Sequence, residues 1–441
     1  MSGRAAQTAL SADWLVPIDG PPIEGGVVAY AGETIVDVGA PETVEAEHIE
    51  HFPGCVIVPG LINAHTHLEY TAFAGFGDGM PFGPWLNLHM QRKRRLAIDD
   101  LLAGARLGAA QCLAGGVTTV SDASYAGAAA AACAEAGLRA ITHIEIFGRD
   151  PEIAMRQFEE RRGPAARAAS ERVQIGISPH APYSAALELY RAALELGEPV
   201  ATHLAESPAE HEFMLGGSGP IAKIAAIANV ESPATSSVRY LYEHGALRPS
   251  MSAAHCVLID ETEIELLAQC DIGVVHCPRS NAQLGCGIAP LRALREAGIR
   301  VGLGTDSPAS AASFDMFEEM RCAIGYARAR EQAADALSAH EALALATLGS
   351  AAAIGRAVQL GSLTPGKAAD LTVIDLSNSN FVPVEDPAAA VVYGGSPECV
   401  SRTIVGGETR YERRGFRWPE LRAAVRSGRA SMIDRARHAA T

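Results

Sequence analysis

Several things are scarce in this 441-residue chain. Aromatic residues make up only 5% of it, with 3 tryptophans among them. Positive charge is outnumbered, 36 Lys+Arg against 51 Asp+Glu, which leaves a formal charge of −15. A surface this negative repels nucleic-acid phosphates and anionic lipid, so neither is an expected partner. No apolar run approaches the roughly 18–20 residues of a membrane span. The polar start, Met1 to Thr8, lacks the apolar segment of a secretory signal. The 9 cysteines are scattered and never spaced as C-x-x-C, which argues against a disulfide framework. A cytoplasmic protein is expected. Hydrophobic residues nevertheless reach 48%, too many for a disordered chain.

What is present is a repeat of short apolar runs and Ala-rich, helix-prone stretches. The runs cover 56–67, 117–124, 139–147, 173–183, 199–206, 251–259, 272–281 and 300–307. Most hold β-branched residues and end in polar or small ones, as strands do where they meet loops. The stretches between them, such as 101–114 and 185–196, carry helical spacing and Ala, Leu, Glu and Arg. Eight strand–helix repeats predict an α/β fold of the (β/α)8, TIM-like barrel type. An open doubly wound sheet is the alternative, and no Gly-rich phosphate fingerprint follows the first run to support it.

The two ends read differently. Residues 25–30 and 33–38, with Gly-containing turns, read as strands, as do 371–375 and 402–405, the last followed by a Gly406-Gly407 hairpin turn. The expected organisation is therefore a barrel over 56–358. Segments 1–55 and 359–441 would pair into a small β-sandwich, with a charged surface helix over 419–438.

Candidate chemistry collects at the C-terminal ends of the predicted barrel strands, the rim on which barrel enzymes build their sites. The first run ends His65-Thr66-His67, and alternate strand residues share a face, so both imidazoles point into the mouth. The fifth run carries His203, the sixth His255 and the eighth Asp306. Three imidazoles and a carboxylate can hold a divalent transition metal and leave a position for water. Glu206, three residues beyond His203, reaches that water only if the chain bends between them; a carboxylate there can shuttle protons. His67-Leu68-Glu69 imitates the H-x-E of cytidine-type deaminases, but the P-C-x-x-C partner motif is missing. His276 and Cys277 on the seventh run are expected to pack, and Cys256, Cys270 and Cys286 to be small buried residues. His89, His143, His211 and His244 acquire no role.

The motifs Pro59-Gly60-Leu61-Ile62-Asn63-Ala64-His65-Thr66-His67, His203-Leu204-Ala205-Glu206, Ala254-His255-Cys256, Pro278-Arg279-Ser280-Asn281 and Gly304-Thr305-Asp306 resemble the amidohydrolase superfamily. Their spacing is similar to that of its mononuclear aminohydrolase branch, which includes methylthioadenosine/S-adenosylhomocysteine deaminases, guanine deaminase and triazine chlorohydrolases. Pro365-Gly366-Lys367-Ala368-Ala369-Asp370-Leu371 matches the family's return into the β-sandwich, so the likeness spans nearly the whole chain.

The resemblance implies one divalent metal ion, zinc first and iron or manganese as alternatives, held by His65, His67, His203 and Asp306. A second ion would need a bridging lysine on the fourth strand, which ends in Ser178-Pro179-His180 instead. Glu206 would protonate the ring nitrogen beside the attacked carbon, His255 would orient the attacking hydroxide, and Asp306 would take a proton. The implied reaction is hydrolytic deamination of the 6-aminopurine of an adenosine-type nucleoside.

For substrate contacts the resemblance points to His180, and to the segment that follows Trp85. S-adenosylhomocysteine deaminases usually have a ribose-binding glutamate nine residues past that tryptophan, whereas this chain has Arg94. With Arg92, Arg94 forms a basic cluster suited to a carboxylate, and the sequence there looks like the 6-aminodeoxyfutalosine deaminases of menaquinone biosynthesis. 6-Aminodeoxyfutalosine is thus the first expectation, methylthioadenosine or S-adenosylhomocysteine the alternative, and guanine deamination or triazine dechlorination come next. A homodimer is the expected assembly.

Overall fold

Eight parallel strands, Leu61–Thr66, Val117–Ser124, Arg139–Ile146, Val173–Pro179, Val200–Leu204, Met251–His255, Gly273–His276 and Arg300–Leu303, follow one another in a single sheet. The structure is a computed structural model that describes residues 7–46, 48–249, 251–414 and 418–438; the first six residues of the polar start lie outside that set. The ring of strands closes where Thr66 bridges Asp306 in parallel. Asn63 fastens the seam, donating from Nδ2 to Thr305 Oγ1 at 2.7 Å and accepting from the Thr305 N–H at 2.9 Å. Gly304 is obligatory there: a Cβ would lie 2.8 Å from the backbone N of His65. The six strands between the first and the last are paired on both sides, and the seam between those two is held by this bridge and these side-chain bonds rather than by a ladder.

The apolar run over 56–67 proves to be two strands. Ile49–Pro59 belongs to the terminal sheet and Leu61–Thr66 to the barrel. The division falls at Gly60, whose N–H bonds Asp370 O while the next N–H bonds Gly116 O. A Cβ on Gly60 would meet Thr118 Oγ1 at 2.1 Å, so the corner needs glycine. Residues 55–59 thus pair with Leu371–Asp375 in the terminal unit, running past the boundary expected at 55.

Several other strands are shorter than the runs that predicted them. The polar ends leave the ladder because the backbone turns sharply: Ala205, His255, Cys256 and Asp306 all have positive φ. Such conformations are costly for non-glycine residues and persist where surrounding contacts enforce them. The seventh run breaks at Pro278, which begins the helix Pro278–Gln283; Asn281 is therefore helical, because proline fits a first helical turn and not a ladder.

The terminal segments build one mixed sheet of eight strands. Leu10, Val28, Tyr30, Ile57, Leu371, Val373 and Ile404 gather on it as a core separate from the barrel's. The Gly406-Gly407 turn is present, both residues at positive φ. The last helix, Trp418–His438, does more than cover surface. Its Val425 packs with Ala72 and Leu107, its Met432 joins the cluster around Trp85 and Leu101, and Arg435 pairs with Asp100 at 2.7 Å. It braces the elements that roof the barrel mouth. No helix among the described residues is long and apolar enough to cross a membrane.

Candidate metal centre and active site

The barrel rim brings five side chains from four strands to one point. His67 Nε2 lies 3.2 Å from His203 Nε2 and 3.3 Å from Asp306 Oδ1. His65 Nε2 is 3.6 Å from the same oxygen. Donor atoms about 2.0–2.2 Å from a tetrahedral ion lie roughly 3.3 Å from one another, so these spacings suit a shared cation. His255 stands in the same cluster, within reach of His65 and His203 on one side and of Glu206 and Asp306 on the other.

Hydrogen bonds behind the cluster fix which atoms face inward. His203 Nδ1 donates to His180 O at 2.8 Å, and His255 Nδ1 donates to Asn281 Oδ1 at 2.9 Å. Each Nε2 therefore turns a lone pair to the centre. Asp306 Oδ2 accepts from Ser280 and Ser310 at 2.6 and 2.9 Å, which leaves Oδ1 to the imidazoles. The inward nitrogens of His65 and His255 are buried with no hydrogen-bond partner. A buried lone pair without a donor is costly, and a divalent metal ion satisfies all of them together. Burial also keeps the imidazoles in the neutral, ligating form: it pulls His67 down to about 3 and His255 to about 4, and holds His203 well below the usual range.

Glu206 reaches this centre because the chain bends at Ala205, where φ is 50°. A residue absent from the sequence reading makes the bend. Glu210, fully buried, accepts the Ala205 N–H at 3.0 Å and the Glu206 N–H at 2.8 Å, and Ser237 donates to it at 2.5 Å. The Glu206 carboxyl then sits 3.7 Å from His255 Nε2. Burial, aided by the nearby Asp306 and Glu210 charges, raises its pKa well above the usual carboxylate range, which favours a proton donor.

A cavity of about 340 Å³ opens above the centre, within the roughly 300–1,000 Å³ of small-molecule sites. Trp85, His180, Arg94, Glu206 and Asp306 line it. Trp85 stacks on His89 at 5.2 Å and donates its indole N–H to Ala309 O. Arg92 is not among the lining residues; its guanidinium lies over the Phe76 ring at 4.6 Å. Between the two arginines, Lys93 turns inward and is buried. Its Nζ lies 4.3 Å from the Tyr125 ring centroid and 4.9 Å from that of Phe147. Trp85, His89 and Lys93 share one helix face at spacings of four, a signal that the sequence held and that the arginines obscured. His89, too, lines the cavity.

Glu145, at the end of the third strand, is another residue the sequence reading missed. It is 1% exposed, lines the cavity, and burial raises its pKa to about 7 despite the nearby Lys93 charge. Glu69, the imitation of H-x-E, is structural: it accepts from Ser124 and from the Tyr125, Ala126 and Ala128 N–H groups. Cys256 and Cys286 are buried as expected, but Cys270 is half-exposed, since it follows the end of a surface helix.

Over 428 residues the chain is 33% identical to the 5-methylthioadenosine/S-adenosylhomocysteine deaminase of Symbiobacterium thermophilum, with 93% of each chain covered. It is 33% identical over 399 residues to the 5'-deoxyadenosine deaminase of Methanothermobacter thermautotrophicus, covering 88% of this chain and 90% of that one. Among solved structures, an adenosine deaminase from Xanthomonas campestris with bound zinc superposes with a TM-score of 0.85 at 27% identity, covering 97% and 98% of the two chains. The amidohydrolase family model matches residues 56–410, and the chain belongs to that family.

Proposed function

We propose that the protein is a zinc-dependent hydrolase that removes the 6-amino group from the purine of an adenosine-type nucleoside. The observation that carries the reading is the convergence, on one barrel rim, of inward-facing imidazole nitrogens, the Asp306 Oδ1 and a buried Glu206. His65, His67, His203 and Asp306 would hold the ion, which when bound supplies Lewis acidity toward water. The chain's own groups account for the proton traffic. Asp306 accepts a proton from the attacking water as its oxygen bonds to the purine C6. Protonated Glu206 gives its proton to the adjacent ring nitrogen, which makes that carbon electrophilic. His255, tied to Asn281, keeps its Nε2 toward the incoming oxygen. Asp306 then passes its proton to the amino nitrogen, which leaves as ammonia, while Glu206 takes back the proton of the new hydroxyl and the ring retains a carbonyl.

The named relatives favour methylthioadenosine, S-adenosylhomocysteine and 5'-deoxyadenosine as substrates. Lys93 and Arg94 at the cavity wall favour a 5' substituent that ends in a carboxylate, which S-adenosylhomocysteine and 6-aminodeoxyfutalosine both carry. The test is ammonia release by zinc-loaded enzyme from adenosine, methylthioadenosine, S-adenosylhomocysteine and 6-aminodeoxyfutalosine, with guanine and atrazine as controls. Turnover of at least one adenine nucleoside is expected. Turnover of guanine or atrazine alone would overturn the reading.

A further inference from the structure

Besides Asp306, two buried carboxyls line the cavity, Glu206 and Glu145, and they fall in different clusters. Glu206 clusters with His255 and Asp306, whereas Glu145 clusters with His180 and His203. The mechanism uses the first and leaves the second without work. Among the described residues Glu145 Oε2 is buried with no hydrogen-bond partner. The nearest side-chain nitrogen paired with it is His180 Nε2, 3.9 Å away, beyond hydrogen-bond reach. Lys93, the charge that could have paired with it, is instead boxed by the Tyr125 and Phe147 rings and the Tyr70 hydroxyl. An acceptor left bare in a ligand cavity is completed by a donor on the ligand.

On an adenine nucleoside few donors are available. Once N9 carries the sugar, the base has N–H donors only on its amino group, and that group must lie at the metal centre beside Glu206. Glu206 takes the ring edge that carries the amino group, so Glu145, clustered instead with His180 and His203, is left to meet the sugar, whose 2'- and 3'-hydroxyls are donors. We propose that Glu145 is a specificity-determining residue, with its unpartnered oxygen accepting a hydrogen bond from a ribose hydroxyl. The assignment rests on the adenosine-type reading above, and it moves sugar recognition from the helix after Trp85, where Arg94 stands, to the end of the third strand.

The experiment compares kcat/KM for adenosine and 2',3'-dideoxyadenosine in zinc-loaded wild type, Glu145→Leu and Glu145→Gln. A site built around a substrate hydroxyl rejects the analogue lacking it, so wild type should prefer adenosine by roughly tenfold or more. Glu145→Leu should bring that ratio to within about threefold by loss of activity on adenosine alone. Glu145→Gln, which keeps the shape and a carbonyl acceptor, should retain part of the preference. Equal wild-type rates on the two nucleosides would overturn the assignment with no variant needed, as would an undiminished preference in Glu145→Leu. Failure to release ammonia from any adenine nucleoside would instead remove the deaminase reading, and this assignment with it.

Discussion

Glu210 touches neither the metal cluster nor the cavity, yet replacing it by glutamine should slow catalysis. The carboxylate receives two backbone N–H groups and the Ser237 hydroxyl. An amide has only one oxygen to offer the two N–H groups, so in either orientation one buried N–H loses its acceptor. That costs about 1–3 kcal/mol. The cheapest relief is to let the bend at Ala205 relax, since its positive φ is held in place by those bonds. Relaxation swings Glu206 off the mouth. If roughly 1.4–2.8 kcal/mol of the loss appears in the transition state, kcat falls about 10- to 100-fold. The ligands stand on other bonds, so bound zinc and KM should stay near wild type. Steady-state ammonia release with metal analysis of the same samples reads all three. A sharper check is the double variant. Glu206→Gln alone should lose about 10²–10⁴-fold, and adding Glu210→Gln should cost nothing further, because Glu210 acts only through Glu206. Additive losses would refute the chain of reasoning, as would loss of zinc from Glu210→Gln.

Stripping the enzyme with a chelator should abolish activity and lower its thermal midpoint, because the buried imidazole nitrogens lose their common partner; added zinc should restore both. Arg94→Ala should raise KM for a carboxylate-bearing nucleoside more than for methylthioadenosine, while Arg92→Ala, off the cavity wall, should change neither. A pH effect on stability is expected at the helix Ala339–Ala344. Partial burial works against the Glu341 charge, but Arg295 and the Ser338 cap hold its pKa down to about 2, from 4.5. A depressed carboxylate contributes stability that is complete above 4.5 and lost as the pH falls through about 2. Glu341→Gln should therefore melt earlier than wild type at pH 7, with the gap closing in acid. With that side chain 38% exposed, the difference should stay within about 1 kcal/mol.

The barrel was legible because each strand must bury both faces, so it reads as a short apolar run that ends where the rim begins. The rim cluster of His65, His67, His203, His255 and Asp306 was legible for a related reason: histidine and aspartate at the ends of such runs have few other uses. The residues missed share a different property. Glu210 lies on a helix that begins at Pro208, where one more glutamate looks like a solvated face; only the positive φ at Ala205 gives it two N–H groups to catch. Glu145 sits in a strand end that reads as ordinary alternation, and its meaning comes from what does not contact it. Lys93 was hidden by its arginine neighbours, since net basic charge draws the eye to the cluster while helical phase selects one member of it. Ser280 and Asn281 were visible as a motif, but their roles became clear only once Pro278 turned the segment into a helix and aimed one side chain at Asp306 and the next at His255. Local pattern reveals the groups that gather at the rim. The groups that hold those groups depend on backbone turns, and the turns depend on the contacts themselves.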